Sequence, residues 1–262
     1  MKKTNYLNNK DILAEIHKSK SSYCSFLERE YHQYDIILTD IEKINIRTIA
    51  EAKRARAKRI APDYDYRKIA KHDVIFRIMT YDHIPADPGR KKNPKTVADT
   101  KVKVNFPPFQ HFKFNDNDEL ECVGKSHWEG SVHNGTFSLE SGIATDKLAT
   151  MWMKLCERYA TKGNVRGYTY NDEMRGQAIL QLAQIGLQFD ESKSANPFAY
   201  YTAAVTNSFV RIINLEKKNQ TIRDDILEMN NMTPSYTRQA EGEWAIALKR
   251  EAEYQEQSNN SY

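Results

Sequence analysis

Apolar positions along the chain fall into helical periods at both ends and into a different pattern between them. Residues 8 to 18, "NNKDILAEIHK", open with an asparagine cap, and Ile12, Leu13 and Ile16 stand at helical spacing, which predicts a short helix. Residues 24 to 58 read as a long helical pattern, at whose end Lys53, Arg54, Arg56, Lys58 and Arg59 follow one another almost unbroken. From 144 onward helices dominate. Thr145 or Asp146 caps a helix with Leu148, Trp152, Leu155 and Tyr159 on one face and Gly163 as its stop. A second helix, capped near Thr169 or Asn171, carries Met174, Ala178, Leu182 and Ile185 at core spacing.

The third is the most informative. In "NPFAYYTAAVTNSFVRIINLEKKN", residues 196 to 219, Asn196 is an N-cap and Pro197 takes the first helical position, where its missing N–H costs nothing. At about 100° per residue, Phe198, Tyr201, Val205, Phe209 and Ile212 form one stripe, the expected core face. Tyr200, Asn207, Arg211, Asn214 and Lys218 form the opposite one. An aromatic, two amides and two cations suit a nucleic-acid backbone with an unstacked base at the N-terminal end, and a solvated charged face explains them about as well. After this helix, "TIRDDILEMNNMTPSYTRQ" reads as a partial helix ending before Pro234, and "EGEWAIALKREAEYQEQ" as a final amphipathic helix.

Between the helical ends the character changes. Residues 84 to 109 hold five of the eight prolines, the composition of a linker or extended arm. Arg90, Lys91, Lys92, Lys95, Lys101 and Lys103 face only Asp87 and Asp99 there, a surplus equal to the chain's net charge of +4, as expected of an arm that tracks a polyanion. "HFKF" and "ELECV" flank the turn "NDND", and "SVHNGTFSLES" sets Asn-Gly between two short runs, so a small β-hairpin module is expected. The basic run at 53 to 59 has two readings, a solvated helix end or a nucleic-acid contact.

Candidate chemistry adds little beyond this. Cys24, Cys122 and Cys156 are scattered without metal-ligand or disulfide spacing, and His127 and His133 read as surface polar residues without acidic or cysteine partners. "GKS" at 124 to 126 resembles a phosphate loop, but Glu119 stands where the first glycine is needed. No Ser-His-Asp, zinc-helix or paired-carboxylate pattern is visible, so neither an enzyme nor a cofactor is expected. No stretch approaches 18 uncharged apolar residues and the N-terminus lacks an apolar signal region, which gives the expectation of an unexported protein with no membrane partner.

The succession "GYTYNDEMRGQAILQLAQIGLQFDESKSANPFAYYTAAVTNSFVRIINLEKKN", residues 167 to 219, resembles the second conserved region of bacterial sigma factors. It is more closely similar to the late-transcription sigma factors of T4-like bacteriophages, including the cyanophage type. The shared elements are the acid-initiated helix at "DEM", the "FD" pair at 189 and 190, the stretch "KSANPFAY" and the ending "FVRI…EKK"; "YLNNKDILAEI" near the N-terminus is also similar. The two matches cover roughly a quarter of the chain, since they span about 65 of its 262 residues.

The residue pattern and the resemblance together imply a mainly α protein: a helical segment at 1–83, an inserted arm and β-hairpin at 84–143, a sigma region 2-like helical domain at 144–220 and a helical tail at 221–262. It implies a subunit without an active site that works in the host bacterial cytoplasm. Such a subunit docks on the clamp helices of the host RNA polymerase β′ subunit, directs the enzyme to a −10-like, A·T-rich late promoter and assists melting. The polymerase-facing residues carry over to Glu173, Gly176, Gln177 and Leu180. The DNA-facing ones carry over to Phe198, Tyr200, Tyr201, Asn207, Arg211, Asn214, Lys217 and Lys218. Helical spacing and the T4-like pattern favour Tyr200 as the base contact, while the housekeeping pattern favours Tyr201. Housekeeping members place tryptophans one turn later, where this chain has Ala204 and Val205, so weaker melting is expected. A phage coactivator and a sliding clamp are the family's further partners. The ending "EYQEQSNNSY" lacks the usual clamp epitope, which leaves Trp244, Ile246 and Leu248 as its substitute. The alternative is a virion-associated or other DNA-binding phage protein without sequence preference.

Overall fold

The computed structural model describes residues 7–89 and 93–259, with side chains to Glu253. Arg90, Lys91 and Lys92 of the expected basic arm lie outside the described residues, as does the end of the tail. The chain divides into two compact units, Met1–Thr206 and Asn207–Tyr262. Six α-helices and a five-stranded sheet make the described fold mixed rather than mainly helical.

The first unit begins with α1 (Asn9–Ser21), whose cap Asn8 accepts a hydrogen bond from the Lys10 amide at 3.1 Å. The expected long helix from 24 to 58 does not form. Instead β1 (Cys24–Phe26) and β2 (Ile36–Leu38) precede a shorter α2 (Ile46–Ile60). Adjacent β-branched Ile36 and Ile37 suit a strand, and short apolar runs fit helical and strand periods alike. The helix starts at Ile46, where Asn45 makes a capping box. Its side chain accepts from the Thr48 amide at 3.1 Å, and Thr48 Oγ1 accepts from the Asn45 amide at 2.8 Å.

Strands β3 (Phe76–Met79), β4 (Phe109–Phe114) and β5 (Leu120–Ser126) complete the sheet, in the order β1-β5-β4-β3-β2. The β2–β3 pair is parallel and the others are antiparallel. The expected hairpin about "NDND" is therefore the β4–β5 pair, but it is an integral part of a sheet that includes strands from before residue 84. Pairing of β3 with β4 crosses the boundary expected at 83/84. The second hairpin uses β6 (Trp128–Glu129) and β7 (Thr136–Phe137), with Val132 buried in its turn rather than in a strand.

One sheet face carries Leu38, Phe76, Ile78 and Phe114, which cluster with Ala52 and Ala57 of α2 and with Ile69 and Val74. The two-residue side-chain period sends Arg77 to the other face. There its guanidinium lies 3.8 Å from the ring centroids of both Tyr34 and Phe109, and its Nε donates to His111 Nε2 at 3.0 Å. Because Nε2 accepts, the proton of His111 sits on Nδ1, which donates to the Tyr31 carbonyl at 2.7 Å. The Pro-rich stretch is anchored at its ends by buried Ile84 and Phe106, and Ala86 bridges to Lys101.

Helices α3 (Asp146–Ala160) and α4 (Asn171–Ile185) pack on each other, with Leu148, Trp152, Leu155, Met174, Ala178 and Leu182 buried. Thr145 caps α3, accepting from the Leu148 amide at 3.2 Å. The expected cap of α4 is corrected: Tyr170 occupies that position, and Asn171 turns inward to donate to the Ala160 and Val165 carbonyls. In the second unit lie the rest of α5 (Pro197–Met229) and α6 (Tyr236–Asn259). The stretch from 220 on continues α5 without a break. The two helices are tied by Asp224, whose carboxylate accepts from the Ser235 amide at 2.8 Å and its hydroxyl at 2.7 Å. Arg238 adds ion pairs to Asp225 and Glu228.

Candidate nucleic-acid interface

The start of α5 satisfies its orphan donors with two asparagines. Asn196 Oδ1 accepts from the Ala199 amide and Asn9 Oδ1 of α1 from the Phe198 amide, each at 3.0 Å, while Pro197 has no N–H to satisfy. The asparagine-rich N-terminal segment, whose Asn8 the sequence identifies only as the cap of its own helix, thus also caps the aromatic helix.

The three aromatics of the first turn divide unexpectedly. Phe198, placed by spacing on the core stripe, is 37% exposed, whereas Tyr201, Val205, Phe209 and Ile212 are buried. Phe198 lies in the first turn, ahead of the packing surface that its stripe meets further along. Tyr201 is 1% exposed, stands edge-on to Trp152 at 5.9 Å and donates its hydroxyl to the Gly186 carbonyl at 2.9 Å. Tyr200 is half-buried beside Phe189 and donates to the preceding carbonyl, Ile185, at 3.1 Å. Both tyrosines therefore serve carbonyls at the end of α4, groups that the helix itself leaves without partners. Burial pushes both phenols above their ordinary pKa. Ala204 and Val205 are also buried, so nothing at those positions projects as a wedge.

The connection into α5 is held from two sides. Phe189 is buried, and the Asp190 carboxylate accepts from the Ser192 amide at 2.9 Å and pairs with Lys193 at 3.3 Å. Lys20 of α1 reaches the Phe189 carbonyl and the Glu191 carboxylate. Sequence reasoning missed Lys20, Glu191 and Asn9, since nothing local marks contacts between residues so far apart.

On α4, Glu173, Gly176, Gln177 and Leu180 are all exposed, at i, i+3, i+4 and i+7, opposite the buried Met174, Ala178 and Leu182. Leu180 shows 56% of its surface, and a Cβ added at Gly176 would meet no atom within 4 Å. This is one open face with an apolar residue and a bare backbone patch.

In the second unit, Asn207, Arg211, Asn214, Lys217 and Lys218 are exposed. All but Lys217 fall on one stripe of α5, with Phe209 and Ile212 on the other side. Trp244, Ile246 and Leu248 of α6 are also exposed.

Elsewhere, the expectation for His127 is corrected: it is fully buried, its ring tilted against Phe106 with centroids 4.1 Å apart, just past the end of β5 where its backbone turns left-handed at φ 53°. His133 is exposed. Ser126 lies between His83 and His127 within hydrogen-bond reach of both, and its hydroxyl also accepts from the Phe109 amide at 2.9 Å. Ser126 and His127 are sealed from solvent, and desolvation holds His83 at about 4 and His127 at about 3. Burial likewise raises the thiol of Cys24 to about 12 and that of Cys156 to about 11, and all three cysteines are free. Among the described residues no group of three or more His, Cys, Asp or Glu could hold a metal ion, and no helix is long and apolar enough to cross a membrane.

No protein-family model, curated protein or solved structure matches this chain.

Proposed function

We propose that the protein is a sigma-type specificity subunit of a T4-like bacteriophage, which binds host RNA polymerase core through α4 and directs it to a −10-like, A·T-rich late promoter through α5. The observation that carries this reading is the open face of α4. Glu173, Gly176, Gln177 and Leu180 all stand exposed on a helix whose other face is packed, followed in the chain by the aromatic-led helix that the sigma pattern requires.

Flipping a base out of the stack costs a few kcal/mol, and an aromatic platform returns about 1–3 kcal/mol per stacked base. Phe198 is the most exposed of the three aromatics and is the first candidate for that platform, with the half-buried Tyr200 beside it in sequence. Tyr201 supports the turn from within. Asn207, Arg211, Asn214, Lys217 and Lys218 would hold backbone phosphates. With Ala204 and Val205 buried where a wedge would stand, opening depends on an easily melted element and on helper proteins.

Capture of host core polymerase by immobilised full-length protein tests this directly. Leu180→Glu with Gln177→Glu should abolish capture while leaving the unfolding midpoint unchanged; wild type that retains no polymerase would overturn the reading. The alternative, a DNA-binding phage protein without sequence preference, predicts duplex binding equal on promoter and scrambled DNA and no affinity for polymerase.

A further inference from the structure

The strongest concentration of charge in the chain lies outside α4 and α5. Between residues 47 and 71, nine lysines and arginines meet three carboxylates, Glu51, Asp63 and Asp65, a larger surplus than the +4 of the whole molecule. Helix α2 sorts these cations. Arg56 and Arg59 turn inward to Asp35, whose side chain is fully buried, and Arg56 also donates to the Asp73 carbonyl. This anchors the helix to the end of β2. Arg47, Arg54 and Lys58 occupy the outward stripe, opposite Ala52, Ala57 and the sheet. The following turn adds exposed Arg67 and Lys68.

We propose that this outward face of α2, with Arg67 and Lys68, is a binding surface for the phosphate backbone of duplex DNA, independent of base sequence. At 1.5 Å of rise per residue, Arg47 and Arg54 stand about 10 Å apart along the helix and Arg54 and Lys58 about 6 Å. One strand of B-DNA presents a phosphate about every 3.4 Å of axis, so these intervals match about three and two phosphate steps. Arg47 is paired with Glu51 at 3.2 Å, an exchangeable surface contact, while Lys58 and Lys68 make no ion pair among the described residues.

Tyr66, the aromatic in contact with these cations, favours a duplex over a single strand. Tyr66 packs against the core cluster and has the Arg54 guanidinium 5.0 Å and the Arg67 guanidinium 6.0 Å from its ring centroid. Its ring positions cations and is not offered to an unstacked base. Single-strand binding draws on open aromatic platforms, whereas phosphates of a closed duplex need only the cations. The surface requires neither polymerase nor a promoter and stands apart from the sigma-type reading.

The test is fluorescence anisotropy of full-length protein on a labelled non-promoter duplex across a salt series. Arg54→Gln, Lys58→Gln and Lys68→Gln together should weaken binding at least about tenfold near 0.1 M salt and reduce the slope of log affinity against log salt by about 2 to 3. An equal-charge control, Lys10→Gln, Lys18→Gln and Arg166→Gln, should change both by less than a third as much. Equal losses in the two triple variants, or no loss in the first, overturns the proposal. So does tighter binding to a single strand of the same length that depends on the same three cations. Capture of polymerase by the patch variant stays at the wild-type level, which separates this result from the α4 experiment.

Discussion

Lys20 Nζ and the Glu191 carboxylate meet at 2.6 Å in a site where the side chains are 1% and 7% exposed, and the same ammonium donates to the Phe189 carbonyl at 2.6 Å. This buried pair fastens α1 to the turn that leads into the aromatic helix. Desolvation lowers the Lys20 pKa and the Glu191 charge opposes that shift, so each partner depends on the other. Removing one partner of a buried pair strands a charge at a cost of about 3–5 kcal/mol. Lys20→Met alone should lower stability by that order in urea unfolding, and Lys20→Met with Glu191→Gln should recover a large part of the loss. A single variant as stable as wild type would show that the pair does not hold the turn.

The tyrosine pair makes separable predictions. Tyr201→Phe removes one buried hydrogen bond and should cost about 0.5–1.5 kcal/mol, whereas Tyr201→Ala opens a cavity beside Trp152 and should cost about 3–5 kcal/mol. Alanine at Tyr201 therefore confounds folding with function. Phe198→Ala, at an exposed position, should leave the unfolding midpoint within about 0.5 kcal/mol of wild type, so any effect on promoter opening can be assigned to the DNA contact.

Gly186 lets Trp152 lie against the end of α4. A Cβ there would come within 2.2 Å of Trp152 Cζ2, and Trp152 is only 5% exposed. Gly186→Ala should destabilise by about 1–3 kcal/mol through overpacking and raise Trp152 mobility, read from fluorescence anisotropy decay. A neutral substitution would mean that the ring can shift freely.

Four histidines give the fold an acid limit. Desolvation lowers His17 and His83 to about 4 and His127 to about 3, and it holds His111 well below its ordinary value, with the Arg77 charge adding to the effect there. The unfolded chain takes up these protons near pH 6.5 and the folded chain does not, so the unfolded state binds more protons below that pH. Stability is therefore full above about pH 6.5 and is lost as pH falls from there toward about 4. Each fully buried histidine contributes about 1.4 kcal/mol per pH unit in that window. Thermal midpoints measured at pH 7.5 and pH 5 should differ by several degrees, and equal midpoints would contradict these environments.

Much of the helical part was legible in the sequence, because caps and apolar periods are local. Asn8, Thr145 and Asn196 occupy the cap positions expected, and Leu148, Met174, Leu182 and Tyr201 are buried on the faces that periodicity assigns. The sheet was not legible. Its strands at 24–26 and 36–38 are three residues long, too short to display a period, and each is defined by partners distant in the chain, β5 and β3. The burial of Arg77 was invisible for the same reason, since an alternating strand decides which side chains turn inward, and that of His127 follows from a left-handed backbone turn just after β5. The exposure of Phe198 was missed because an ideal stripe assumes that the packing surface extends under the first turn.

Abortive initiation with host core polymerase tests the central claim most directly. On a duplex carrying an A·T-rich −10 element the protein should yield specific short transcripts. Phe198→Ala should cut them about tenfold, the equivalent of about 1.4 kcal/mol of lost stacking, without weakening polymerase capture. Equal transcription from the scrambled template, or full activity of Phe198→Ala alongside loss of activity in the patch variant alone, would contradict promoter reading by α5.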